Sequence, residues 1–122
     1  MPTFTQIGTA QVVGSGGAAN ITFSTIPNTY TDLVVVLSTR TDRSAASADN
    51  LSVEFNSDTT SGNYSSRRLI GDGASASSET IAKNAGLVPA TTVTSSTFGN
   101  IQIYIPNYLG STAKSYRFEA VT

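Results

Sequence analysis

The side chains of this 122-residue chain that could do chemistry are eight carboxylates, seven basic groups and five tyrosines. The carboxylates are Asp32, Asp42, Asp49, Glu54, Asp58, Asp72, Glu79 and Glu119. A glycosidase needs two of them facing each other across a cleft, about 5–10 Å apart. Nothing in their spacing marks such a pair, and most lie in turns rich in Ser and Thr, where a carboxylate solvates the surface. The sequence therefore predicts no catalytic residue.

The chain contains neither His nor Cys. A Ser–His or Cys–His nucleophile pair cannot form without these residues. Thiolate zinc sites, iron–sulfur clusters, redox motifs and disulfides are excluded for the same reason. We expect a chain that is not an enzyme and that uses no cofactor.

One polar loop, residues 56–62, resembles a calcium-binding loop because oxygen-bearing side chains stand at alternate positions. A calcium loop of the EF-hand type also needs a glycine at its sixth position and a bidentate glutamate at its twelfth, and both are missing here. The loop is therefore interpreted as a hairpin connection that uses Asn and Asp for turn conformations. No metal site is predicted.

Two adjacent arginines, Arg67 and Arg68, occupy a predicted strand over residues 64–70. Neighbouring residues of a strand point to opposite faces, so one arginine should face solvent. The other is expected to meet a carboxylate, within the chain or across a subunit contact. The alternative is that the pair contacts an anion or a sugar. The tyrosines are Tyr30, Tyr64, Tyr104, Tyr108 and Tyr116; they could stack on sugars or seal the edge of a core with their hydroxyls in water.

The sequence predicts that these groups are positioned by short strands between polar turns. Ser and Thr supply 35 of the 122 residues, and Thr suits exposed strand faces. Strands are predicted over residues 3–13, 21–24, 33–37, 51–55, 64–70, 87–94, 101–105 and 115–121, and residues 74–84 have the composition of a helical turn. About eight short antiparallel strands favour an all-β fold, a jelly-roll-like β-sandwich forming one domain over residues 1–122.

The run over residues 33–37 is apolar at every position. Such a run predicts a central strand that is buried on both faces or contacted by a neighbouring chain. The residues expected in or next to the core are Leu33, Val35, Leu37, Val53, Phe55, Ile101, Ile103, Ile105 and Phe118.

Charge and hydropathy exclude several kinds of partner. The net charge is −1, and the largest basic cluster is the pair Arg67–Arg68, so nucleic-acid binding is not expected. The longest apolar run has five residues, against about 20 for a membrane span. The first residues show no signal peptide, which needs a basic segment followed by an apolar one.

Three segments together resemble a family of small β-rich virion structural proteins of tailed phages, notably phages of cyanobacteria and marine bacteria. The segments are residues 21–33 (ITFSTIPNTYTDL), residues 55–73, which run from Phe-Asn through Asn-Tyr-Ser to Gly-Asp-Gly, and residues 103–108 (IYIPNY). The resemblance implies a tail-fibre or tail-associated component, with a capsid decoration protein as the alternative and a host-glycan-binding adhesin module as a further one. Family members usually continue with further strands, so it also implies truncation at the C-terminus.

The resemblance and the residues agree on self-association. The chain has few charges to protect strand edges, and the run over residues 33–37 calls for a second covering layer. We expect a homo-oligomer, with a trimer favoured because trimers are most frequent in the family. The candidate contact residues are Val34, Val36, Ile103, Tyr104 and Tyr108. Other expected partners are virion proteins of the tail or capsid and a host surface glycan, with synthesis in the host cytoplasm and a final location in the virion.

Overall fold

Seven short strands and one turn of 3₁₀ helix make up the regular structure of residues 3–122, the part of the chain that this computed structural model describes. In chain order they are β1 (Leu33–Thr39), β2 (Ala48–Ser52), the 3₁₀ turn (Ser61–Asn63), β3 (Arg67–Gly71), β4 (Ala76–Thr80), β5 (Asn84–Pro89), β6 (Gly99–Ile105) and β7 (Arg117–Val121). Strands hold 33% of the residues and helix 2%, so the all-β prediction is confirmed. No helix among these residues has the length and apolar character needed to cross a membrane.

The strands pair into three small antiparallel sheets. β6 lies between β1 and β7 in a three-stranded sheet, β2 pairs with β5, and β3 pairs with β4. In the first sheet Val35 is opposite Ile103, which is in turn opposite Phe118. These three residues therefore point to the same face of the sheet.

The core lies between the three-stranded sheet and β5. Ile101, Ile103 and Ile105 alternate along β6 with more exposed residues, and all three are buried against Ala85 and Val88. The nine residues predicted in or next to the core all lie in this cluster or pack against it. That part of the sequence prediction is confirmed, because strict alternation along β6 leaves only one face that can be buried.

The most completely buried strand is β5, in which only Leu87 is partly exposed. Small residues permit this burial. A Cβ atom added to Gly86 would lie 2.8 Å from the Cβ of Ala120 and 3.2 Å from Cδ1 of Ile101. Gly86 also has a φ of +122°, a conformation that side chains rarely adopt. The close approach of β5 to β6 and β7 thus depends on a glycine, giving the sandwich-like packing of these strands.

The run over residues 33–37 is not a central strand buried on both faces, so that alternative of the prediction is wrong, whereas contact with a neighbouring chain stays a prediction. Within residues 3–122 the run belongs to β1, which is hydrogen-bonded to β6 on one side and forms an edge of its sheet. Burial alternates toward its end, and Val36 is 74% exposed. The physical reason is that β-branched residues favour any pleated surface, whether or not that surface is covered.

Three further element predictions differ from the structure. Residues 3–13 and 21–24, each predicted as a strand, are irregular and exposed. Residues 76–80 form strand β4 and not a helical turn. The strand count is therefore seven in place of about eight. In each case the deciding factor is whether a neighbouring strand is present to accept hydrogen bonds, which local composition does not encode.

Candidate assembly surfaces

One end of the first sheet is fastened by the carboxylate of Asp32, which precedes β1. It accepts a hydrogen bond from the Tyr104 hydroxyl at 2.7 Å and another from the backbone N–H of Asn107 at 2.8 Å. The Tyr108 hydroxyl donates to the carbonyl of Pro27, and its N–H donates to the carbonyl of Thr31 at 3.3 Å. These bonds join residues 27–32 to the end of β6. Two of the segments singled out in the sequence are therefore in direct contact.

Hydrogen bonding changes the acidity of both partners in this contact. The N–H of Asn107 and then the hydroxyl of Tyr104 lower the pKa of Asp32, because both donors stabilise the carboxylate. The hydrogen bond that the Tyr104 hydroxyl donates to the same carboxylate raises the pKa of Tyr104, because that bond is lost when the phenol ionises. At neutral pH Asp32 is therefore ionised and Tyr104 is protonated, so that both hydrogen bonds to the carboxylate are present.

The three-stranded sheet has an outer face that no other strand covers. Val34, Val36, Gln102 and Tyr104 point to it, as the pairing of Val34 with Tyr104 and of Val36 with Gln102 requires. Phe4, Val34, Tyr104 and Arg117 line a cleft of about 560 Å³ on this face. The face combines aliphatic, aromatic and amide groups with the exposed ion pair of Arg117 and Glu119, which lie opposite Tyr104 and Gln102.

Three of the five candidate oligomer-contact residues lie on this outer face, namely Val34, Val36 and Tyr104. Ile103 does not, because it points inward and is only 3% exposed. The strand period of two sends Ile103 and Tyr104 to opposite faces, so Ile103 lies behind the outer face and not on it. Tyr108 is partly buried and packs on the core while its hydroxyl holds Pro27.

The two arginines point to opposite faces of β3, as expected. Arg67 is exposed, whereas Arg68 is only 7% exposed. Arg68 forms an ion pair with Glu79 on β4 and donates to Oδ1 of Asn50 on β2 at 2.7 Å. The expected structural ion pair is thus present within the chain. Because the guanidinium is committed to these groups, an external anion would have to compete with Glu79.

A polar network continues from Arg68 through the centre of the molecule. Nδ2 of Asn84 donates to the same Asn50 oxygen at 3.4 Å, and Oδ1 of Asn84 accepts from the N–H of Gly86 at 3.2 Å. The Tyr116 hydroxyl donates to the carbonyl of Asn84 at 2.9 Å. Burial is the main cause that raises the pKa of Tyr116. The network links the β3–β4 and β2–β5 sheets to the residue that precedes β7. Sequence reasoning missed the roles of Glu79 and Asn84, because the composition of residues 74–84 predicts a helical turn and not two strands.

A second cleft separates β3 from β7. It has a volume of about 540 Å³ and lies between residues 65–69 on one side and residues 114–118 on the other. Within the described chain β3 is hydrogen-bonded to β4 alone and β7 to β6 alone. The cleft is therefore bordered by two open strand edges. It is called the β3–β7 cleft below.

The loop over residues 56–62 uses its one carboxylate for turn formation. Oδ1 of Asp58 accepts from the N–H of Thr60 at 2.9 Å, and Oδ2 accepts from Nδ2 of Asn63 at 2.8 Å. These bonds, that of Asn63 first, lower the pKa of Asp58. Asn56 and Ser57 adopt the left-handed conformation with φ near +53° and +60°. Among residues 3–122 no three acidic side chains converge as metal ligands would.

Most tyrosines use their hydroxyls to hold the chain together. Tyr64 donates to the carbonyl of Asp58 at 2.8 Å and accepts from the N–H of Phe55 at 3.0 Å. Tyr104, Tyr108 and Tyr116 make the bonds described above. The rings of Tyr64 and Tyr116 also pack on Phe55, with centroids 6.5 Å and 5.8 Å from its centroid.

Comparison with protein-family models, with curated proteins and with solved structures finds no significant match to this chain.

Proposed function

We propose that this chain is a structural protein of a tailed-phage virion, a tail-fibre or tail-associated component without catalytic activity that assembles with copies of itself. The observation that carries the assembly part is the outer face of the first sheet together with the open edge of β1. The virion part rests on the resemblance of three sequence segments to a family of such proteins.

The open edge of β1 supports assembly because it lacks the features that keep an edge strand from pairing. Its sequence, LVVVLST, contains no charged residue and no proline. An edge with free N–H and C=O groups and apolar side chains pairs readily with another chain unless charges, proline or a bulge prevent it. The exposed Val36 adds apolar surface at the same place.

The contact between the resembling segments supports a shared architecture. Residues 27–32 and 104–108 are far apart in sequence but are joined through Asp32 and Tyr108. Asp32, Tyr104 and Tyr108 therefore have a structural role, since their polar groups fasten residues 27–32 to the end of β6. A role in architecture is what a virion structural protein requires of its most distinctive residues.

Light scattering on the purified chain tests the assembly part. We expect an oligomeric mass at micromolar concentration, with three copies favoured. The double variant Val34→Ser/Val36→Ser should lower that mass, because it removes apolar area from the outer face without changing the core. Leu109→Ser is the matched control, since Leu109 is also exposed but lies in the turn after β6. A monomeric mass for the unaltered chain would overturn this part of the proposal.

Quantitative mass spectrometry of purified virions tests the location. A tail component should be present far below the copy number of the major capsid protein, whereas a decoration protein should approach it. The absence of the chain from purified particles would overturn the virion role. A glycan array probed with the assembled protein tests the adhesin alternative, which predicts reproducible binding to a defined saccharide.

A further inference from the structure

The β3–β7 cleft is lined by residues 67–69 of β3 and 117–118 of β7, and each of these strands has one hydrogen-bonded neighbour within the described chain. An extended chain placed between β3 and β7 could form a hydrogen-bond ladder with each of them, which would unite β1, β6, β7, β3 and β4 in one sheet. Peptide recognition by strand addition normally satisfies one edge, and here two edges face the same gap. The backbone groups along these edges otherwise depend on water.

The side chains of the cleft define the kind of strand that fits. Tyr116 and Phe118 present aromatic surface toward the interior, and both pack on the core. Leu69, 83% exposed, and Arg67 lie on the outward face of β3. The basic residues Lys114, Arg68 and Arg117 line the same cleft as Arg67. A fitting strand therefore has apolar residues at the positions that meet Tyr116 and Phe118 and carries no positive charge, because like charges on neighbouring strands are destabilising.

The chain itself carries a segment of this kind that lacks a partner. In the N-terminal arm, residues 3–26, the sequence Ile21-Thr22-Phe23-Ser24 alternates apolar and polar residues. Ile21 is 40% exposed and Phe23 is 43% exposed. Within the described structure, the backbone hydrogen bonds of the arm are confined to that between Gly17 and Gly14.

The arm is tethered at one end and strained beside the tether. Pro27 and Thr31 are held by Tyr108, so residues 27–32 stay with their own sheet. Thr25, just before the tether, has a φ of +57°, which is unfavourable for a β-branched residue. An extended arm would relieve this strain. Fully extended, residues 3–26 span on the order of 80 Å, well beyond the roughly 14 Å radius of gyration of a domain this size.

We propose that Ile21–Ser24 of one copy inserts as a strand into the β3–β7 cleft of a second copy. This inference rests on the proposed self-assembly and specifies its mechanism as an exchange of N-terminal arms. In its own chain the arm instead passes the first sheet, where Phe4 lies in the cleft beside Val34 and Tyr104. Insertion into a neighbour covers Ile21 and Phe23, pairs the edges of β3 and β7, and introduces no charge, because the first charged side chain of the sequence is Asp32.

Cysteine pairing in the full-length chain tests this directly, since the native sequence has no cysteine. One preparation carries Thr22→Cys and is isotopically heavy; the other carries Leu69→Cys. After mixing, reassembly and oxidation, we expect a disulfide between the heavy Thr22→Cys peptide and the light Leu69→Cys peptide. Ser78→Cys is the matched control, because Ser78 is exposed, lies opposite Leu69 on β4 and is one strand farther from the cleft. Two strand spacings of about 4.8 Å exceed the reach of a disulfide.

The outcomes separate this mechanism from the proposed function. A disulfide that forms only within one chain, seen with the double variant Thr22→Cys/Leu69→Cys, would overturn the exchange and place the arm in its own cleft. Equal yields with Leu69→Cys and Ser78→Cys, or no disulfide in either, would overturn the inserted strand. Either result leaves self-assembly intact if light scattering still gives an oligomer.

A second measurement uses no cysteine. The double variant Ile21→Ser/Phe23→Ser should raise the concentration at which the oligomer dissociates by at least about tenfold, as expected for apolar anchors in a contact. Val12→Ser is the control, because Val12 is an exposed arm residue outside the inserting segment. An unchanged dissociation midpoint for the double variant would contradict the proposal.

Discussion

Residues 21–24 and residues 101–105 carry the same alternation of apolar and polar side chains, but only the second set forms a strand. β6 lies between β1 and β7, and its three isoleucines are buried. Residues 21–24 are irregular, with Ile21 and Phe23 exposed. The comparison shows that alternation specifies which face of a strand would be buried, whereas a paired edge decides whether the strand forms.

The largest expected effect is a difference in the free energy of unfolding between a variant of residues 101–105 and a variant of residues 21–24. Ile103→Ala should lower the free energy of unfolding by about 2–5 kcal/mol, because it removes buried methyl groups from a packed core. Phe23→Ala should change it by no more than about 0.5 kcal/mol when the chain is diluted to a monomer. Urea denaturation followed by circular dichroism measures both. Equal losses would mean that the arm belongs to the core of its own chain.

The next effect tests why β5 is buried. Gly86→Ala should cost about 1–3 kcal/mol, because its Cβ would meet Ala120 at 2.8 Å and the residue has a positive φ. Gly71→Ala is the control, since Gly71 lies at the end of β3 with no atom within 4 Å of an added Cβ. Thermal unfolding compares the two variants. A neutral Gly86→Ala would show that β5 can move away from β7 without loss.

A smaller effect distinguishes the central ion pair from a surface pair. Glu79→Gln should cost about 1–2 kcal/mol, because Arg68 is buried and would lose its carboxylate partner. The expected cost is modest because Glu79 is itself 44% exposed, so that solvent screens the pair. Glu119→Gln should change stability by less than about 0.5 kcal/mol, since Arg117 and Glu119 are both exposed and 3.6 Å apart. The two variants costing the same amount would contradict a structural role for the Arg68 network.

The smallest expected effect is on the melting temperature at acidic pH, where Asp32 loses the charge that holds the tether of the arm. Because the folded pKa of Asp32 is lowered, its ionised form stabilises the fold above the pKa of an unfolded aspartate, about 3.9. That stabilisation is lost as the pH falls through the lower folded pKa. Asp32→Asn should therefore flatten the decline of the melting temperature below about pH 4.

Asp42→Asn serves as its control, because Asp42 lies in the loop between β1 and β2 and is absent from the contact between residues 27–32 and β6. The measurement is the melting temperature from neutral pH down to strongly acidic pH. Identical acid profiles for the two variants would mean that the bonds of Asp32 to Tyr104 and Asn107 do not hold the tether in solution.

Much of the candidate assembly surface could be read from the sequence, and part of it could not. Val34, Val36 and Tyr104 were identified from their strand patterns, and the outer face does carry them. Ile103 was included by proximity to Tyr104, although the strand period sends it into the core. The β3–β7 cleft could not be predicted, because it is formed by two edges about 50 residues apart in sequence. No local pattern marks an edge as open.

The sequence by itself determined the fold class, nine of the residues in or next to the core and the division of Arg67 and Arg68 between solvent and interior. These follow from composition and from the period of two, which are local properties of a strand. Only the tertiary structure decided that β1 lies at an edge, that β5 is the buried strand and that residues 3–26 have no partner within the described chain. The physical reason is that burial and pairing depend on which segments meet: Gly86 lets β5 approach β7 closely, whereas nothing pairs with Ile21 and Phe23.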